Sequence, residues 1–187
     1  EFLFSLLLFL ILLKNKYQLL IPLFLIAAFN RESFIIFSSP VILTWIILSP
    51  DSYQKKRCLL YGLIGSAIFL VTIFLIKTRF QGDINLFATQ TYSMFSLDKL
   101  LFLIDIDNLR NFLYYTILLI PLGLIGLFEN KKLFYSSVLI ILTYIAISGF
   151  FVGSGAALGR YIFSSAGPIL VIGQAIYFSR FRKLLWN

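Results

Sequence analysis

The chain has 187 residues, 60% of them hydrophobic and 21 of them Phe, with 16 basic and 8 acidic side chains. At a mean hydropathy of +0.94 there is too little polar surface to cover a water-soluble globule of this length, so a bilayer is the default solvent. The absence of His and the presence of one Cys, Cys58, exclude Ser-His-Asp, Cys-His and His-zinc chemistry, an internal disulfide and a cysteine metal cluster within these residues.

A helix needs roughly 20 apolar residues to cross the hydrocarbon core. By that measure the apolar runs are Glu1 to Leu13, Tyr17 to Phe29, Ser33 to Leu48, Cys58 to Ile76, Phe112 to Phe128, Leu133 to Val152 and Tyr161 to Phe178. The expected fold is therefore all-α, a polytopic bundle of about seven transmembrane helices, with 1–187 as the C-terminal part of one membrane domain. The first run begins at Glu1 with no basic region before it, so it reads as a hydrophobic segment cut at its N-terminus and not as a signal peptide. Taken as one helix, Tyr17 to Leu48 would be about 48 Å long and would place Arg31 and Glu32 near its middle. Two short spans broken at Asn30-Arg31-Glu32-Ser33 fit better.

Charge supports seven crossings, because cytoplasmic loops collect Lys and Arg. Lys14, Lys16, Lys55, Lys56, Arg57, Lys131, Lys132, Arg180, Arg182 and Lys183 then share one face with Asp51 and Glu129. The six other basic residues balance six acidic ones on the opposite, outer face, so the net +8 lies on the cytoplasmic side. The basic balance thus reports topology and contact with anionic lipid, and nucleic acid is not needed to explain it. Gly62 with Ser66, and Gly123 with Gly126 after Pro121, allow close helix approach. Pro40 and Pro168 lie inside spans, where neighbouring groups resatisfy the freed carbonyls.

The segment 77–111 is the long outer-face loop. Within it Leu97, Leu100, Leu101 and Ile104 recur at helical spacing behind Ser96 as N-cap. A short interfacial helix and a loop that merely dips into the headgroups both fit.

On the outer face, arginines recur beside carboxylates: Arg31-Glu32 at the tight turn, Arg79, the run from Gly82-Asp83 to Gln90, and Gly159-Arg160-Tyr161 after a glycine-rich approach. Guanidinium groups offer a planar fork to phosphate oxygens, strengthened near a low-dielectric bilayer, and a carboxylate can accept a hydroxyl proton. These residue types suit transfer from a lipid-linked phosphate, or transport of an anion. Arg31 and Glu32 equally suit a local ion pair that closes a hairpin, and Arg79 alone reads as snorkelling to water.

In this order of spans, Arg31, Gly82-Asp83, Phe87, Gln90, Gly159-Arg160-Tyr161 and Pro168 resemble the C-terminal half of the GPI mannosyltransferase II-like membrane proteins, glycosyltransferases of the GT-C class. The resemblance implies inverting transfer of a sugar, typically mannose, from a polyprenyl or dolichyl phosphate to a hydroxyl of a glycolipid or glycan. It implies Arg31 and Arg160 at the donor phosphate and Glu32, Asp83, Gln90 and Tyr161 in the substrate pocket. The catalytic carboxylate would precede residue 1, as would the ligands of any divalent metal, so no cofactor is identifiable and this stretch alone would be inactive. Glu32 after Arg31, and Tyr92 where a Trp is expected after Gln90, depart from the pattern and leave the sugar and acceptor open. The expected setting is a bacterial plasma membrane rather than the endoplasmic reticulum, with membrane lipid, the lipid-phosphate donor and the glycan acceptor as partners. An O-antigen-type polysaccharide polymerase and a transporter or flippase are the alternatives. No self-similarity between the halves stands out, which sets a transporter built from inverted repeats behind.

Overall fold

The computed structural model describes residues 2–30, 33–79, 109–110, 112–113, 116–148 and 162–186. Every element among the described residues is helical: α1 (Phe2–Leu13), a 3-10 turn (Tyr17–Leu19) leading into α2 (Leu20–Ala28), α3 (Phe34–Leu48), α4 (Ser52–Arg79), α5 (Leu119–Leu127), α6 (Lys131–Ser148) and α7 (Gly167–Trp186). The chain divides into two compact units, Leu3–Thr91 and Tyr92–Asn187.

In the first unit α1 ends where Asn15 takes a left-handed conformation (φ 54°). The Lys16 N–H reaches back to the Ile11 carbonyl at 3.0 Å, the long-range bond of a Schellman cap, which Asn tolerates better than other non-glycine residues. The Tyr17 hydroxyl donates to Asn15 Oδ1 at 2.8 Å and steadies the same turn. Pro22 occupies the first turn of α2, where a missing N–H costs no helical bond. The expected break falls between α2 and α3, so 17–48 is two helices. Asp51 Oδ1 accepts the Tyr53 N–H at 2.9 Å and caps α4, and Lys77 and Arg79 end it, where cations suit the helix dipole.

The core of this unit is aromatic. Phe24 and Phe34 meet edge to face with centroids 5.0 Å apart, and Phe34 and Phe37 at 4.9 Å; such pairs add to simple burial. Trp45, buried, donates its indole N–H to the Leu12 carbonyl at 3.2 Å and ties α3 to the end of α1.

The second unit closes on glycine. A Cβ at Gly126 would overlap the Gly173 carbonyl, and a Cβ at Gly173 would overlap the Gly123 carbonyl, so α5 and α7 touch backbone to backbone. Gln174 donates to the Leu118 carbonyl at 2.9 Å beside the turn that precedes α5. Asn130 Oδ1 caps α6 through the Leu133 N–H at 3.3 Å. Arg180 pairs with Glu129 at 2.6 Å, joining the turn after α5 to the C-terminal half of α7.

One described helix, α4, is long and apolar enough to cross a membrane; only 17% of its most apolar window is buried, and at about 42 Å it exceeds the hydrocarbon core. It extends the expected Cys58–Ile76 run at both ends. Residues 2–13, 17–28 and 34–48 are apolar helices shorter than a full crossing. The run from Phe112 to Phe128 is not one helix: a turn at 117–118 interrupts it.

Candidate functional site

Arg31, Glu32, Asp83, Gln90, Arg160 and Tyr161 lie outside the described residues, as does the expected interfacial helix at 97–104. What is described is the framework on which two of them hang. The Asn30 N–H closes α2 onto the Ala27 carbonyl at 2.9 Å, one residue before Arg31. Ile162, next to Tyr161, is fully buried.

A cleft of about 340 Å³ opens between α2 and α4, lined by Leu25, Phe29, Thr72, Leu75, Ile76 and Arg79. Thr72, Leu75, Ile76 and Arg79 lie at spacings of three and four, so one stripe of α4 forms its wall; Leu25 of α2 and Phe29, its C-cap, form the other. Its volume lies at the low end for small-ligand sites. The lining is apolar except at Thr72 and Arg79, the latter in the last turn of α4. Arg79, left to snorkelling by the sequence, thus shares a cleft with Phe29, two residues before Arg31. The missed signal was the register of Arg79 with the apolar stripe.

At the opposite end of α4, Arg57 lies over the rings of Tyr53 and Tyr61, 5.5 and 5.9 Å from their centroids, and reaches Gln18 Oε1 at 3.4 Å. The contact brings the basic run 55–57 to the 3-10 turn that follows Lys14 and Lys16 in sequence. In α6 the hydroxyls of Ser136 and Ser137 are buried without a hydrogen-bond partner among the described residues. Among the described residues no cluster of three or more His, Cys, Asp or Glu side chains could hold a metal ion.

Comparison of the chain with protein-family models, curated proteins and solved structures finds no match.

Proposed function

We propose that the chain is part of a multi-pass membrane glycosyltransferase that moves a sugar, mannose by the resemblance of its motifs, from a polyprenyl or dolichyl phosphate to a hydroxyl of a glycolipid or glycan. Its basic helix ends face the cytoplasm. The observation that supports this reading is the α2–α4 cleft: an apolar groove with Arg79 in its lining suits an amphiphile with an apolar chain and a phosphate head. Arg31 and Glu32 follow Phe29 and Asn30 in sequence.

In the proposed step the acceptor oxygen bonds to the anomeric carbon as the bond from that carbon to the donor phosphate breaks. The hydroxyl proton passes to a carboxylate, and Arg31, Arg79 and Arg160 take up the charge that grows on the leaving phosphate. Glu32, Asp83, Gln90 and Tyr161 shape the sugar and acceptor pocket.

The test is transfer of radiolabelled mannose from polyprenyl-phosphate-mannose to endogenous lipid, in membranes holding the full-length protein. Transfer by the wild type, lost in Arg31→Ala and Arg160→Ala and reduced at least tenfold in Arg79→Ala at equal expression, supports the reading. A wild type that transfers nothing from this or any other polyprenyl-phosphate sugar overturns it.

A further inference from the structure

Residues 19–49 and 118–148 align without a gap at a shift of 99, with 14 identities in 31 positions. These include Leu19-Leu20-Ile21-Pro22-Leu23 with Leu118-Leu119-Ile120-Pro121-Leu122, and Ile42-Leu43-Thr44 with Ile141-Leu142-Thr143. Shared apolar composition alone would not carry this, but the structure repeats at the same shift. Both ends of α2 (Leu20–Ala28) map onto both ends of α5 (Leu119–Leu127). The buried positions of α5, namely Leu119, Gly123, Gly126 and Leu127, fall on Leu20, Phe24, Ala27 and Ala28, all buried in α2. In α6 the buried Leu133, Ser136, Ser137, Ile140, Ile141 and Tyr144 fall on Phe34, Phe37, Ser38, Val41, Ile42 and Trp45, all buried in α3.

The third helix of each unit continues the match at a shift of 108. Ile64-Gly65-Ser66-Ala67-Ile68 corresponds to Ile172-Gly173-Gln174-Ala175-Ile176. Gly65 packs on Leu20 and Phe24 of α2, and Gly173 on Gly123 and Leu127 of α5. Phe24 and Gly123 are equivalent positions, so the two glycines make the same helix contact in the two units. The absence of self-similarity expected from the sequence is therefore corrected: substitutions such as Phe24 for Gly123 and Phe37 for Ser136 hid a repeat that the burial pattern reveals.

The charged ends give each copy a direction. In the first unit the basic end holds the starts of α2 and α4, through Lys14, Lys16 and 55–57. In the second it holds the ends of α5 and α7, through Lys131, Lys132, Arg180 and Arg182, with the Arg180–Glu129 pair joining those ends. If both basic ends face the cytoplasm, the two copies enter the bilayer in opposite senses. The first helix of each copy is also short and broken at an equivalent point. Nine residues, about 14 Å, follow a 3-10 turn in α2 and the turn at 117–118 in α5, with proline third in each. Short, proline-bearing segments at corresponding positions of two inverted halves are the sequence mark of an alternating-access carrier's binding elements.

We propose that the chain is an inverted repeat of a three-helix unit and that it carries a phosphate-headed lipid from one leaflet to the other, with α2 and α5 as the equivalent ligand-binding elements. The choice of ligand rests on the lipid-phosphate reading above; the repeat does not. Transport adds an activity that a transferase working at one face does not need.

Two experiments on the full-length protein test it. With every native cysteine replaced by Ser, Cys58 included, Asn30→Cys reacts with a membrane-impermeant maleimide in intact cells, and Glu129→Cys, its equivalent, reacts only after permeabilisation. Labelling of both from the same side overturns the inverted repeat. In proteoliposomes holding a polyprenyl phosphodiester with a headgroup NBD tag, added dithionite bleaches both leaflets, where protein-free vesicles lose only the outer one. Pro22→Ala and Pro121→Ala slow inner-leaflet bleaching several-fold and alike. Bleaching that stops at the outer leaflet overturns transport, and mannosyl transfer measured in the same vesicles shows whether the transferase reading survives without it.

Discussion

At the scale of single residues, the glycines of the second unit carry the firmest expectation. The group that a methyl at Gly126 would meet is the Gly173 backbone carbonyl, and no rotamer change moves a backbone atom aside. Gly126→Ala therefore falls at the upper end of the roughly 1–3 kcal/mol that overpacking costs. Gly65 differs: its added Cβ would lie 3.0 Å from the edge of the Phe24 ring, which can shift by tenths of an ångström. There the gain in helix propensity, about 1 kcal/mol, offsets the crowding, and Gly65→Ala is near neutral. Thermal midpoints of the two variants in one detergent separate them; equal loss at both sites would refute this account of the packing. Trp45→Phe makes a third case. It keeps ring bulk in the aromatic cluster and removes the bond to the Leu12 carbonyl, but that carbonyl also accepts the Asn15 N–H at 3.2 Å. The expected cost is that of one net hydrogen bond, about 1 kcal/mol, and not the larger penalty of a buried acceptor left bare; the same melting experiment reads it.

At the scale of elements, the sequence showed a break wherever polarity marked one. Asn30 to Ser33 interrupts an apolar run with charge, and the helices on either side of it are separate. It did not show the turn at 117–118, because the residues from Phe112 to Phe128 are apolar on both sides of it; only Pro121 hinted that a helix begins shortly before. The start of α4 was misplaced for the converse reason. Tyr53 to Arg57 are polar and so read as loop, yet Asp51 caps them into helix and Tyr53 and Tyr61 hold the Arg57 guanidinium along its surface. Arg79 was visible as a charge near a span end, whereas its cleft depends on how α2 crosses α4, a tertiary fact without a local signal. The expected site residues from Asp83 to Gln90 and at 160–161 rest on motif alone, while Arg79 has register with the α4 stripe and a place in the lining of an open cleft.

At the scale of the whole molecule, the proposed topology makes sidedness a property of each unit, because each carries its own basic residues. The Arg180–Glu129 pair is too exposed to add much stability; its consequence is that the two helix ends bearing the second unit's positive charge lie together. In the first unit α4 is long and apolar enough to cross a membrane, and in the proposed topology the charges at its start, with Lys14 and Lys16, decide which way it points. Replacing Lys14, Lys16, Lys55, Lys56 and Arg57 with Gln leaves Asp51 as the remaining charge at that end and removes the bias. The first unit should then insert in both senses, so that Asn30→Cys is labelled in only part of the molecules in intact cells. The second unit keeps its own basic residues, and Glu129→Cys should stay protected until permeabilisation. If neutralising the first unit instead reorients Glu129→Cys to the same degree, the units insert as one block, and orientation is a property of the chain rather than of each repeat.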